Sequence, residues 1–224
     1  MNSQIDLYTG VHKGQRGKFF EIMMKAGTID YDDKEALDRL YGELTAFKEH
    51  MYRHAISEEK FIHPLLSERM PGGARKLEED HHIMHQQLDD IVSHLDKLKT
   101  RPTDPDMRRK LGLEFYRAWN RFISFYFEHI NEEEENIQPT LWKIFTDKEL
   151  ADTFKAILSN ETFEELKYDG QIMLPAMNLF ERAGIINGAR ISMPPMVFQG
   201  LLTLAEQILG PDNWASLKPK IISE

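Results

Sequence analysis

Apolar residues recur every three or four positions over the first two thirds of the chain, which is the pattern of amphipathic α-helices. In the second predicted helix, this stripe consists of Leu37, Leu40, Leu44, Phe47 and Met51. The sequence has no sustained alternation of polar and apolar residues, which half-buried strands would need. The predicted long helices cover about residues 9–26, 32–69, 74–98 and 104–136. We therefore predict an all-α fold in which four helices form an up-down-up-down bundle.

The pattern of helix signals changes after Leu141, where the sequence predicts several shorter helices. Thr146 and Glu149 form a capping box, a signature of a helix start. The helices predicted in this part cover about residues 146–160, 163–183 and 196–209. We expect residues 1–145 to form the bundle and residues 146–224 to form a C-terminal helical extension that packs on it.

Composition and charge exclude several classes of protein. A net charge of -9 argues against a nucleic-acid-binding surface, which needs clustered positive charge. The chain contains no cysteine, so disulfides, thiolate zinc sites and cysteine-ligated iron–sulfur clusters are excluded. No apolar run approaches the roughly 20 residues of a membrane span, and the first ten residues do not resemble a signal peptide. We therefore expect a soluble, cytoplasmic protein with no nucleic-acid or membrane partner.

Histidines and glutamates occupy positions at which the helical period predicts core residues. In the second helix, for example, the apolar stripe continues from Met51 to His54 and Glu58. The candidate core histidines and carboxylates are His12, His54, Glu58, His81, His85, His129 and Glu133. Burying several imidazoles and two carboxylates together is costly unless a cation binds them. A dinuclear divalent metal centre would supply that cation, with imidazoles capping each ion and carboxylates offsetting the charge.

An internal repeat supports a two-metal centre. Residues 54–64 align with residues 129–139, with His, Glu, Glu, Ile and Pro matching at offsets 0, 4, 5, 8 and 10. Residues four apart share a helix face, so one histidine and one carboxylate of each helix can reach the same metal pair. Glu133 and Glu134 both remain candidates for the carboxylate of the fourth helix. His50, one turn before His54, remains open as an additional ligand.

Two other metal-site patterns do not fit this sequence. A ferritin-type di-iron site needs Glu-x-x-His on two helices, and only one plausible copy is present, from Glu78 to His81. The His-Glu-x-x-His motif of zinc metalloproteases is absent.

In these motifs the chain resembles the hemerythrin-like (HHE cation-binding) family over about residues 5–145. The resemblance implies a four-helix bundle that holds two non-haem iron ions joined by an oxo or hydroxo bridge. Carried over by position, the implied ligands are His12 and His54 on one iron, His81, His85 and His129 on the other, and Glu58 and Glu133 as bridges. Zinc or manganese can substitute, because ligand type alone does not determine the metal.

Three functions follow from this interpretation. The preferred one is a di-iron protein that binds or reacts with oxygen, nitric oxide or peroxide at an open coordination position, for sensing, storage or detoxification. The first alternative is a di-iron oxidase or oxygenase that acts on a small organic substrate under the C-terminal helices. The second is an iron-responsive interaction module whose protein partner the sequence does not identify.

Overall fold

The computed structural model describes residues 5–100 and 104–221, and these residues form helices joined by short loops, without a strand. The predicted all-α class is thereby confirmed. The α-helices are α1 (Thr9–Thr28), α2 (Lys34–Phe61), α3 (His63–Arg69), α4 (Arg75–Thr100), α5 (Pro105–Glu132), α6 (Gln138–Ile144), α7 (Asp147–Asn160), α8 (Phe163–Ala176), α9 (Leu179–Ser192) and α10 (Pro195–Ile221). One π-helical turn, Glu133–Ile137, separates α5 from α6.

The described residues divide into two compact units. Residues 18–133 form one, here called the central unit, and residues 5–17 with 134–221 form the other, here called the terminal unit. The predicted boundary at residue 145, and the predicted packing of the C-terminal helices on the bundle, stay predictions.

In the central unit, α4 packs against both α2 and α5. Glu58, near the end of α2, lies 3.2 Å from His81 near the start of α4. At the other end of the same pair, Asp38 lies 3.0 Å from Lys99, so α2 and α4 run antiparallel. The ring of His129, near the end of α5, lies 4.9 Å from that of His81. The ends of α2 and α5 and the start of α4 therefore meet at one end of this unit.

Aromatic rings fill the middle of the central unit. The ring of Phe19, on α1, lies 4.9 Å from Phe47 on α2 and 5.1 Å from Trp119 on α5. All three side chains are fully buried. Contacts of this kind add to the hydrophobic burial that holds amphipathic helices together, so a rigid apolar layer lies beside the polar end described below.

Two predicted helices are interrupted, and both interruptions precede a proline of the internal repeat. The helix predicted to continue to residue 69 divides at Ile62, two residues before Pro64. The helix predicted to end at residue 136 changes to the π-helical turn at Glu133, ahead of Pro139. Proline has no amide hydrogen and its ring collides with the carbonyl four residues earlier, which explains why regular α-helix ends here. Turns of π-helix occur often at functional sites.

In the terminal unit, α8 and α9 pack on α10 around a buried apolar cluster that includes Leu174, Ile186 and Leu217. The single helix predicted over residues 163–183 is two helices, because α8 ends just after Pro175 and α9 begins with its own capping box. The predicted capping box of α7 is present. The last predicted helix, over residues 196–209, corresponds to the part of α10 before Gly210, where a φ of 69° interrupts the helix with a kink. The helical segment after this kink was not predicted.

The first half of α1 belongs to the terminal unit and approaches α8 closely. A Cβ atom on Gly14 would lie 3.0 Å from the backbone nitrogen and Cα of Met173. Only glycine allows two backbones to come this near without displacement. This contact sets the position of the helix turn that carries His12.

Candidate metal centre

Four buried side chains of the central unit converge where α2, α4 and α5 meet. One oxygen or nitrogen atom from each of Glu58, His81, His129 and Glu133 lies within 4.8 Å of the others. All four side chains are buried, with at most 3% of their surface exposed. His129 Nε2 lies 3.2 Å from Glu133 Oε1. Two imidazoles and two carboxylates thus form one compact donor group.

A second donor group uses the same two carboxylates. Donor atoms of His54, Glu58 and Glu133 also lie within 4.8 Å of one another. His54 Nε2 is 3.1 Å from Glu58 Oε1, whereas His81 Nε2 is 3.2 Å from Glu58 Oε2. The two oxygens of one carboxylate therefore face two different histidines. This is the arrangement that a carboxylate needs to bridge two metal ions.

The pKa values of two side chains in this cluster are shifted from their usual values. Burial raises the pKa of Glu58 well above its usual value, and the nearby charge of Glu133 raises it further. Burial alone would lower the pKa of His129, but the carboxylate of Glu133, which it contacts, raises it. Buried carboxylates this close repel each other unless a cation lies between them. Imidazole nitrogens with carboxylate oxygens are the donor set of non-haem iron, so the residues present fit that metal.

One further carboxylate holds the outer nitrogen of His81, and another lies near that of His129. Glu59 Oε1 lies 3.0 Å from His81 Nδ1, within hydrogen-bond distance, whereas Asp80 Oδ2 lies 3.5 Å from His129 Nδ1 without forming a hydrogen bond. In metal sites, such carboxylates orient the ring and make it a stronger ligand. The sequence pattern places Glu59 on a solvated acidic face and suggests no role for Asp80. The signal for Glu59 was available, because the repeat contains two consecutive glutamates in each copy.

His12 is fully buried in the terminal unit and has the same kind of partner. Its Nδ1 lies 3.0 Å from Glu134 Oε1. Arg16 binds both oxygens of Glu134, through Nη1 at 2.7 Å and Nη2 at 3.2 Å. Although burial opposes it, these contacts with His12 and Arg16 lower the pKa of Glu134 to about 2. Of the two candidate carboxylates, Glu133 joins the donor groups and Glu134 holds a histidine.

His85 is predicted as a ligand, but it lies outside both donor groups of the described residues. It lines a small cavity together with His54, His81 and His129. Burial lowers the pKa of His85, and the neighbouring His81 lowers it further. Its role as a metal ligand stays a prediction, as does that of His12.

Two further histidines beside the site, His50 and His63, are buried. His50 stacks on His54 with ring centroids 6.4 Å apart, and is 1% exposed. His63 stacks on His81 at 5.4 Å and is also 1% exposed. Burial lowers the pKa of His63 to about 4, with His81 contributing in the same direction. Both rings therefore form part of the wall of the site.

Comparison with known proteins identifies the part of the chain that carries these histidines and glutamates as a known metal-binding domain. The model of one protein family, the hemerythrin HHE cation binding domain, matches residues 3–141. The iron-sulfur cluster repair protein YtfE of Dickeya chrysanthemi (strain Ech1591) is 26% identical over 132 residues, which cover 57% of this chain and 58% of that protein. The chain thus spans a little over half the length of this relative. No solved structure matches this chain. Within the described residues, no helix has the length and apolar character to cross a membrane.

Proposed function

Because the chain belongs to the hemerythrin HHE cation binding domain family, we propose that it holds two non-haem iron ions and binds a small ligand there. The proposed ligand is oxygen, nitric oxide or peroxide, and the role is sensing, storage or detoxification. The observation that carries this proposal is the carboxylate of Glu58, whose two oxygens face the Nε2 atoms of His54 and His81 at 3.1 and 3.2 Å.

The proposed metal ligands combine the two donor groups with two further histidines that the family pattern supplies, His12 and His85. They are His12, His54, Glu58, His81, His85, His129 and Glu133. When bound, the iron pair supplies a Lewis-acidic, redox-active position at which a small ligand is held. Zinc or manganese fits the same donors, so iron is proposed from the family and the donor set together.

The side chains around the proposed ligands have separate tasks. Glu58 and Glu133 supply negative charge that matches a pair of cations in a buried place. Glu59 and Glu134 hold the outer nitrogens of His81 and His12, so each ring presents a fixed face. Apolar residues including Met51 line part of the small cavity beside these ligands. Together these residues orient donors and restrict access to small molecules.

Iron–sulfur cluster repair is the second candidate role. It is favoured by the 26% identity to the repair protein YtfE, which this chain matches over 58% of that protein's length. The same iron pair would serve this role, so the two candidates differ in partner and not in metal site. The oxidase or oxygenase alternative and the interaction-module alternative stay predictions.

Reconstitution with ferrous iron under anaerobic conditions tests the proposal. Purified metal-free chain should bind about two iron ions, and exposure to air should produce the near-ultraviolet bands of a bridged diferric centre. Glu58→Ala should lose most of this iron, because it removes one of the two carboxylates that both donor groups share. His82→Ala is the matched control, since His82 is exposed and adjacent to His81. Wild-type chain that binds no iron would overturn the proposal.

A further inference from the structure

His63 is a buried histidine that belongs to neither donor group of the described residues. It is the first residue of α3, and its ring stacks on that of His81 with centroids 5.4 Å apart. Neither of its ring nitrogens forms a hydrogen bond within the described residues. Burying a polar ring in this way is costly, and a bound cation would offset that cost.

Glu78, an exposed residue of α4, lies beside His63. Its Oε1 atom is 3.7 Å from His63 Nδ1, which is too long for a hydrogen bond. Two donor atoms that bind one divalent ion at about 2.1 Å each can lie up to roughly 4.2 Å apart. The separation of these two atoms therefore fits a cation held between them better than a direct contact.

The charge of Glu78 is open to solution. Its side chain is 56% exposed and lines an open surface cleft together with Glu79 and His82. Arg75 also lines this cleft, but its guanidinium pairs with Glu79. Within the described residues, no lysine or arginine pairs with Glu78. A negative charge that is not offset in a surface cleft raises the local concentration of cations.

His63 and Glu78 adjoin a proposed ligand of the buried centre. The ring on which His63 stacks is that of His81, whose Nε2 faces Glu58. The outer nitrogen of the same ring contacts Glu59, an exposed carboxylate four residues before His63. Oxygen and nitrogen donors thus follow one another from exposed Glu78 through buried His63 to His81.

We propose that His63 and Glu78 form an outer site that binds one divalent metal ion and passes it to the buried donor groups. Two protein ligands leave the other coordination positions to water, so the ion binds weakly and exchanges with solution. The loading role rests on the proposed function, because it needs a buried centre that receives the ion. Binding of an ion by His63 and Glu78 does not depend on that function.

The test titrates metal-free, full-length protein with Co²⁺, recording binding heat, visible absorption and, by stopped flow, the rate of uptake. We expect wild type to bind a tight pair of ions and one weaker ion. Glu78→Gln and His63→Phe should each weaken the weaker site by about 10-fold or more and slow uptake by about 3- to 10-fold. Occupancy of the tight pair should not change.

Glu68→Gln is the matched control and should behave as wild type. Glu68 is an exposed residue of α3, and its substitution makes the same change of charge near the site. Because Glu78 is exposed, Glu78→Gln tests the site even if His63→Phe does not fold. Thermal melting of each metal-free variant shows whether it is folded.

The outcomes separate the outer site from the proposed function. Unchanged Co²⁺ binding and uptake in Glu78→Gln would overturn the inference. An equal loss in Glu68→Gln would also overturn it, because surface charge in general would then be the cause. Loss of a tight ion in Glu78→Gln would make Glu78 part of the buried centre, which again contradicts an outer site. If wild type binds only a weak ion that depends on Glu78, the outer site stands and the proposed function fails.

Discussion

Glu58 and Glu59 lie on opposite sides of one imidazole ring and face its two nitrogens. Nε2 of His81 lies 3.2 Å from Glu58 Oε2, and Nδ1 of the same ring lies 3.0 Å from Glu59 Oε1. The first glutamate joins the donor group and the second holds the ring from the outside. The other copy of the repeat divides its glutamates in the same way, since Glu133 contacts His129 and Glu134 contacts His12.

Removing the outer carboxylate of His81 should weaken metal binding without unfolding the chain. For Glu59→Ala, we expect iron affinity to fall by about 10- to 100-fold, because the ring loses its orientation and some of its basicity. Competition with a chelator of known affinity measures this change. The matched control is Glu79→Ala, because the Glu79 side chain is exposed and its carboxylate pairs with Arg75 at the protein surface. Equal affinity in Glu59→Ala and wild type would contradict the assigned role.

The pairing of Arg16 with Glu134 should be visible in the titration of that carboxyl. Arg16 holds Glu134 through two hydrogen bonds, and the pKa of Glu134 is lowered to about 2. In metal-free Arg16→Ala, we expect this pKa to rise toward the ordinary glutamate value, because one of the two stabilising partners is lost. Carbon-13 NMR of labelled glutamates reports the change. Arg75→Ala serves as control, and an unchanged Glu134 titration in Arg16→Ala would exclude the pairing.

His63 should make the metal-free protein less stable as the pH falls. Its folded pKa of about 4 lies below the ordinary value of 6.5, so the unfolded chain takes up the proton first. The stability that comes from a neutral His63 is present above pH 6.5 and is lost progressively as the pH falls toward 4. At pH 5, we expect a loss of about 1–2 kcal/mol relative to pH 8.

His63→Phe should remove most of that loss, because phenylalanine cannot take up a proton. Urea unfolding of metal-free wild type and His63→Phe at both pH values measures the difference. His82→Phe, at an exposed position, is the control for adding an aromatic ring. A pH dependence that is the same in wild type and His63→Phe would show that other groups cause it.

Gly14 and Gly17 lie on the same helix, but replacing each with alanine should change the free energy of unfolding in opposite directions. Gly14→Ala places a Cβ atom 3.0 Å from backbone atoms of Met173, which cannot move aside easily, so we expect a loss of about 1–3 kcal/mol. Gly17→Ala meets no described atom within 4 Å and should gain roughly 0.5–1 kcal/mol from helix propensity. Urea unfolding of metal-free protein measures both. A neutral Gly14→Ala would mean that the two helices separate at little cost.

Much of the candidate site was predictable because helical periodicity constrains which residues face the core. The positions of His54, Glu58, His81 and His129 follow from counting steps of three and four, and the structure brings their donor atoms together. His85 satisfies the same count but lies outside the group. Periodicity gives the direction of a side chain around the helix axis. It does not give the distance of that side chain from a neighbouring helix.

The sequence by itself determined the helical class, the core positions of the histidines and the repeat that pairs two helices. These features depend on local spacing, and a helix turns by a known amount per residue. Only the tertiary structure decided whether Glu133 or Glu134 joins the donor group. It also decided where prolines divide the helices, and that His63 is buried against His81. These features depend on the distances between atoms of neighbouring helices, and the local spacing of residues along one helix does not determine those distances.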